Sequence, residues 1–216
     1  MSDVLRVQWT IIPRTAPQPW LACSRCGEAK PFRSSDKIRL NANGKRVDAW
    51  LIYKCTGCGS TWNRPILERR PVRSIEPGLL ASLHSSESTL TRLLAFDVEG
   101  LRRCAGHVEE FDDVLVIKTV LSQSTTSLRR LEILCSVPEP VGLRLDRLLA
   151  NELRLSRRRI QALAKAGELL ALPRGSQLRR PVRNGLRLIV ALKAGEDCCA
   201  TSCDRHGAVD KTGLPV

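Results

Sequence analysis

The sequence predicts an α+β fold, and three observations carry that prediction. Two Cys-x-x-Cys-Gly pairs flank a stretch of strand character, an apolar stripe at helical spacing runs from Leu90 to Val108, and a basic stretch from Val141 combines two short helices with an alternating strand. They divide the 216 residues into four segments: 1–76, 77–140, 141–194 and a tail over 195–216.

In the first segment the pairs read Cys23-Ser24-Arg25-Cys26-Gly27 and Cys55-Thr56-Gly57-Cys58-Gly59, with 28 residues between them. Two residues between thiols let one tight turn aim both sulfurs at a metal. The following glycine takes the positive φ that turns backbone amides toward those sulfurs. Residues 37–41 and 46–54 read as strands joined at Asn43-Gly44, a strong hairpin signal. This is the layout of a zinc ribbon, with Cys23, Cys26, Cys55 and Cys58 holding one structural Zn2+ per chain. Four thiolates saturate the ion and leave no position for water or substrate. A disulfide pair and a redox dithiol are the competing readings. A thioredoxin-like dithiol, however, needs a single Cys-x-x-Cys at a helix start within a βαβ pattern, whereas here the motif is duplicated among hairpins. Trp9, Trp20, Trp50 and Trp62 all fall in this segment with Tyr53 and Phe32, and most of these rings are expected to cover the ribbon.

From Pro77 the pattern turns helical. Leu90, Leu93, Leu94, Val98, Leu101, Ala105 and Val108 form one stripe, which predicts a helix over 88–107, and alternating runs at 114–120 and 128–137 predict strands. This helical and mixed region is expected to connect and support. His84, His107, Cys104 and Cys135 lack ligand spacing and read as packing or surface residues. The tail has no apolar period and carries Cys198, Cys199, Cys203 and His206. It reads as disordered, with a second metal cluster as the alternative.

In the basic segment, Leu145, Leu148, Leu149 and Leu153 share one face of a short helix, and Ser156 stands where an N-cap starts a second. The second helix buries Ile160, Leu163 and Ala164 and turns Arg157, Arg158, Gln161 and Lys165 outward, and Gly167 ends it. After the Asn184-Gly185 turn, Leu186, Leu188, Val190 and Leu192 alternate as a strand. The result is a compact ααβ-type module.

Charge points to a partner. The chain carries +13 overall, but residues 1–76 contribute +8, 77–140 −3, 141–194 +10 and the tail −2. Basic modules flanking an acidic middle suit a polyanion, nucleic acid before an anionic membrane surface. No run approaches the roughly 20 apolar residues of a membrane span. The first ten residues alternate charge with bulk, unlike a signal peptide. The expected location is cytoplasmic.

Arg144-Leu145-Asp146-Arg147-Leu148-Leu149-Ala150, Leu155-Ser156-Arg157-Arg158-Arg159, Ala166-Gly167-Glu168 and Arg180-Pro181-Val182-Arg183-Asn184-Gly185 resemble the RNA-binding domain of small-subunit ribosomal protein four. In that family two helices and a small sheet dock on structured RNA. The resemblance implies RNA contact by Arg157, Arg158 and Lys165, and by Arg147 and Arg183. It departs from the family at 169–178, where a short hairpin with Val-Asn-Gly is usual and Leu-Leu-Ala-Leu-Pro-Arg-Gly-Ser-Gln-Leu stands instead. The two cysteine pairs, Asn41-Ala42-Asn43-Gly44-Lys45, Asp48-Ala49-Trp50-Leu51-Ile52-Tyr53 and Thr61-Trp62-Asn63 further resemble a bacterial family of unknown function, DUF ten-sixty-two, over most of 4–193. That resemblance supports the domain plan and implies no activity.

The expected function is a non-catalytic, zinc-containing protein that binds structured RNA, ribosomal RNA among the candidates. Its arginines would contact phosphates and 2′-hydroxyls, because the RNA duplex major groove is too narrow to read. An RNA-modifying enzyme is one alternative, since such modules accompany pseudouridine synthases, whose catalytic aspartate follows Arg-Leu as Asp146 does here. Yet the Thr-Ser-Gly turn of that loop is missing, and no nucleophile and base pair emerges. A zinc-dependent DNA-binding regulator is the other alternative, less favoured because no base-reading helix-turn-helix is evident.

Overall fold

The computed structural model describes residues 3–122, 129–173 and 175–192. In chain order the elements are β1 (Val4–Pro13), β2 (Gln18–Cys23), β3 (Glu28–Asn43), β4 (Arg46–Cys55), β5 (Thr61–Pro71), α1 (Pro77–Ser85), α2 (Ser88–Ala95), α3 (Val98–Cys104), β6 (His107–Glu109), β7 (Val114–Ser122), β8 (Arg130–Ser136), α4 (Leu145–Glu152), α5 (Arg157–Lys165), β9 (Leu169–Leu172) and β10 (Arg187–Ala191). No helix among the described residues is long and apolar enough to cross a membrane.

The chain separates into two compact units, each interrupted in sequence. One takes Pro13–Val114 and Glu139–Gly142. The other takes the chain up to Ile12, Leu115–Pro138 and the part from Leu143 onward.

The first of these, the cysteine-bearing unit, is an antiparallel sheet ordered β5-β4-β3-β2-β6. The expected strands at 37–41 and 46–54 are the paired arms of β3 and β4, joined through Gly44 at φ 60°. Glycine adopts that conformation without the clash a Cβ would bring. Period-two alternation buries Val47, Ala49, Leu51, Tyr53 and Cys55 along β4. α1 and α2 pack on β3, and α3 on β2 and β6. The core joins Phe32, Leu51 and Tyr53 to Ala95, Val98 and Leu101 and includes two of the motif cysteines, Cys23 and Cys55.

The single helix expected over 88–107 is instead two, α2 and α3, broken at Phe96 and Asp97. The cause is an arginine from β5. Buried Arg64 donates to the Leu94 carbonyl at the end of α2 and to the carboxylate of Asp97, whose other oxygen accepts from the Gly100 amide to cap α3. The guanidinium thus satisfies one helix end and anchors the cap of the next. Glycine at 100 leaves room for this pair, because a Cβ there would lie 2.0 Å from both Arg64 Nη2 and Asp97 Oδ2 and would displace them. The predicted stripe survives the break in Val98, Leu101, Ala105 and Val108, all buried, whereas Leu93 is exposed.

The second unit, rich in arginine, is a mixed sheet ordered β7-β1-β8-β10-β9. β1 pairs with β8 in parallel, and β10 lies antiparallel to both β8 and β9. β1 is a correction: its residues, Trp9 included, were expected with the cysteines, and they belong to this sheet. Leu5, Val7, Trp9 and Ile11 alternate inward on β1, matched by Leu131, Ile133 and Cys135 on β8 and by Leu188 and Val190 on β10. The reason is burial: alternation this strict selects a partner strand however distant in sequence. α4 contributes buried Leu145, Leu148 and Leu149, and α5 contributes Ile160 and Leu163. The expected N-cap is present, with Ser156 Oγ accepting from the Arg159 amide at 3.1 Å, and Gly167 at φ 73° follows the helix end. β10 carries the alternation expected near 186–192.

Candidate metal centre and basic surface

Each cysteine pair straddles the end of a strand. Cys23 closes β2 and Cys55 closes β4, while Cys26 and Cys58 stand in the turns that follow. Each turn returns on itself through a backbone bond, Gly27 N to Cys23 O and Gly59 N to Cys55 O, both 2.9 Å. Gly27 and Gly59 hold φ 75° and 72°, as the sequence reading requires. β3 pairs with both β2 and β4, so the two strand ends come together and the sulfurs converge.

The four sulfurs lie within 4.8 Å of one another, with Cys23 and Cys58 3.5 Å apart and Cys26 and Cys55 3.8 Å apart. Sulfurs bound at about 2.3 Å around a tetrahedral ion stand about 3.8 Å from each other, so the cluster could hold a metal ion such as zinc. Cys23 and Cys55 are buried, and Cys26 and Cys58 are partly exposed.

Sequence reasoning missed Ser60. Its hydroxyl lies 3.1 Å from both Cys23 Sγ and Cys58 Sγ. The Ser60 hydrogen bond, helped by the Cys26 amide, draws the Cys23 thiol down to about 6, and Ser60 likewise lowers Cys58. Cys26 moves the other way, to about 12, because it shares hydrogen bonds with Cys58 and loses water by burial. The hydroxyl thus favours the thiolate at Cys23 and Cys58, while the crowding of sulfurs around Cys26 opposes ionisation there, a repulsion that a bound cation would relieve. Lys30 adds positive charge, its pKa raised first by Glu28 at 2.7 Å and then by Cys26 and Cys55.

The other cysteines do not join the cluster. Cys104 is exposed, and burial pushes the Cys135 thiol up to about 12. Cys198, Cys199, Cys203 and His206 lie outside the described residues. Tyr53 and Phe32 are buried, while Trp20 is part exposed and donates from Nε1 to Glu109.

In the second unit the sequence-predicted cations fall into two places. Arg157, Arg158 and Lys165 are exposed on α5, but Lys165 closes the helix roughly 12 Å along the axis from Arg157. Arg157 is not free for a ligand alone. Its Nη2 donates to Asp146 Oδ2 at 2.9 Å, and Arg144 donates to both oxygens of the same carboxylate at 3.1 and 2.8 Å. Asp146 is fully buried. Burial alone would raise its pKa, but the hydrogen bonds from Arg157 and Arg144 outweigh that and hold the carboxyl below the usual range.

That carboxylate ties the start of α5 to the start of α4, and the 177–183 loop is attached there too. Asp146 N donates to Leu178 O, Leu145 N donates to Arg180 O, and Arg144 bridges to Pro181. Arg180 and Arg183 then line a cavity of about 510 Å³ with Leu145 and Pro181. Arg144 and Arg180 were missed in the sequence because their place depends on the buried aspartate. Arg158 and Arg159 have no ion pair among the described residues, and Arg147 is engaged.

Compared with known families, residues 40–174 match the model described as a protein of unknown function (DUF1062). The matched span includes Cys55, Cys58 and α5 but not Cys23 or Cys26. No curated protein and no solved structure matches the chain.

Proposed function

The chain belongs to the DUF1062 family, whose description states no function, and we propose from its own residues that it is a zinc-containing, non-catalytic protein binding structured RNA. The zinc reading rests on four sulfurs within 4.8 Å of one another, brought together at the ends of paired strands and in the turns that follow. In this reading they form a zinc ribbon in which the ion is structural.

The RNA reading is carried by one observation. A single buried carboxylate, Asp146, gathers Arg144 and Arg157 at the adjoining ends of α4 and α5, beside the loop bearing Arg180 and Arg183. Arg158 and Lys165 extend the positive surface along α5. One-signed guanidiniums on a rigid base suit a phosphate backbone, since the base removes much of the ordering cost of binding. The arrangement also counts against Asp146 as the catalytic aspartate of an RNA-modifying enzyme. A carboxylate fully buried and held by two arginines is shielded from any substrate.

A binding titration and a metal analysis test the reading. Fluorescence anisotropy should show the full chain binding a structured RNA at least tenfold more tightly than duplex DNA of the same sequence, with affinity falling steeply in salt. Equal affinity would favour the DNA-binding alternative, and no affinity for either would remove the proposal. Elemental analysis should find one zinc per chain. A folded, metal-free protein with a Cys23–Cys26 disulfide would refute the zinc reading.

A further inference from the structure

The cysteine-bearing unit has a second polar feature, whose lining includes none of the four cysteines. A cavity of about 660 Å³ lies between the irregular stretch of β3 at Ser34 to Asp36 and the face of α2. Arg14, Arg33 and Arg92 line it, together with Thr15, Ser88 and Asp36.

The three guanidiniums differ in how firmly they are held. Arg92 is fixed: Nε and Nη2 donate to the Glu139 carboxylate, Nη2 also donates to the Pro13 carbonyl, and the guanidinium lies 4.7 Å over the ring of buried Phe96. Arg33 is exposed and has no ion pair or hydrogen bond from its side chain among the described residues. Arg14 has only a 3.8 Å approach of Nε to exposed Asp113. Asp36 is the one lining acid among the described residues, and it already accepts from Ser34 Oγ. Glu139 is committed to Arg92. The hydroxyls of Thr15 and Ser88 have no protein partner among the described residues.

A set of solvated surface arginines would account for Arg14 and Arg33 alone. It does not account for a third guanidinium immobilised beside them in a concavity with open hydroxyl donors. Among the lining residues three guanidiniums face a single carboxylate, Asp36, so the cavity keeps a positive potential that favours an anion. The volume falls within the range of sites for small molecules. The donors arrive from three elements: the segment after β1, β3 and α2. A planar carboxylate is satisfied from one edge, whereas a phosphate monoester carries close to two charges and three terminal oxygens that accept from several directions.

From this geometry we propose that the cavity binds a phosphate monoester, carried either on a free nucleotide-sized molecule or at the end of an RNA. The inference is independent of the RNA surface on the other unit. Its own residues are Arg14, Arg33 and Arg92.

Isothermal titration of the full chain decides it. The probes are adenosine 5′-monophosphate, adenosine, and one short RNA with either a 5′-phosphate or a 5′-hydroxyl. The expected result is saturable one-site binding that is at least tenfold tighter for the phosphorylated member of either pair. It should weaken by at least tenfold in Arg14→Gln/Arg33→Gln. These two arginines are chosen over Arg92 because Arg33 has no side-chain partner among the described residues and Arg14 only a long, exposed approach to Asp113, and circular dichroism checks that the variant stays folded. A preference confined to the mononucleotide pair identifies a free metabolite-sized ligand, and one confined to the RNA pair identifies an RNA end. Equal binding of phosphorylated and unphosphorylated probes, or undiminished binding by the folded double variant, overturns the proposal.

Discussion

The two units solve the same problem of stability with different materials. In the cysteine-bearing unit the sulfurs of Cys23 and Cys55 are themselves core residues, packed with Phe32, Leu51 and Tyr53. In the arginine-rich unit the core is aliphatic and aromatic, built on Trp9, Leu131, Ile133, Leu145 and Leu149, and its one fully buried acid among the described residues, Asp146, is neutralised by half-exposed Arg144 and Arg157. The first unit places thiols inside its core and leaves its arginine-lined cavity to the periphery. The second keeps its core plain and uses one buried charge to organise its surface.

The difference is broken most severely at the cysteines. If the four sulfurs hold zinc as proposed, Cys55→Ser should abolish metal binding and destabilise its unit by several kcal/mol, because the ion's binding energy would then be folding energy. Hydrogen exchange should then show lost protection along β2, β3 and β4, with zinc absent by elemental analysis. Retained protection in a metal-free variant would mean that the hydrophobic part of the core suffices. Acid should act in the same direction on the wild type, since each ligand must be a thiolate and protons compete with the ion for it.

Next in size is Asp146→Asn. It leaves Arg144 and Arg157 without their carboxylate and should cost about 3 kcal/mol, at the low end for a broken buried pair because both arginines are half exposed. The pH dependence follows from the sign of the shift. Asp146 titrates lower in the folded chain than its unfolded value near 3.9, so its stabilisation is present at neutral pH and is lost as pH falls through the folded value. Urea unfolding at pH 7 and at pH 3 should therefore show a smaller acid loss in Asp146→Asn than in wild type. Equal losses would assign the acid sensitivity elsewhere.

These two sites also mark what a sequence reader could and could not see. The knuckles, the Asn43-Gly44 hairpin, the Ser156 cap and the Gly167 stop are local: each depends on residues within a few positions, and each stands where the spacing places it. The parallel pairing of Leu5 with Leu131 joins strands 126 residues apart, and no local pattern names a partner. The break after α2 depends on Arg64, some thirty residues earlier in the chain. The Asp146 cluster was hidden for a related reason. Its aspartate sits in a helical pattern that explains it well enough as a first-turn residue, and only burial shows that it organises three segments.

Ser60→Ala sharpens the comparison from the metal side. It removes the hydroxyl shared by Cys23 and Cys58 without removing a ligand, so both thiols should become harder to ionise and zinc affinity should fall about tenfold, as is typical when an outer hydrogen bond is lost. Competition with a colorimetric chelator reads this directly. Unchanged affinity would make Ser60 a packing neighbour only.

The smallest effect concerns neighbouring arginines on α5 that the sequence treats as equals and the structure does not. Arg158 is exposed and has no ion pair among the described residues, whereas Arg157 is held by Asp146. If both reach phosphates, Arg158→Gln should weaken RNA binding a few-fold and reduce the slope of log affinity against log salt by about one, with unfolding unchanged. Arg157→Gln should do the same to binding and also lower stability, since Asp146 loses one of its two partners in a buried setting. Leu163→Asp supplies the scaffold limit: a charge in the buried face of α5 should unfold the unit and abolish binding without any informative salt slope. Anisotropy across a salt series, paired with urea unfolding of each variant, separates the three outcomes. An Arg157, Arg158 and Lys165 triple variant with wild-type affinity and slope would reduce α5 to a solvated face, and Asp146 would then be holding Arg157 for stability alone.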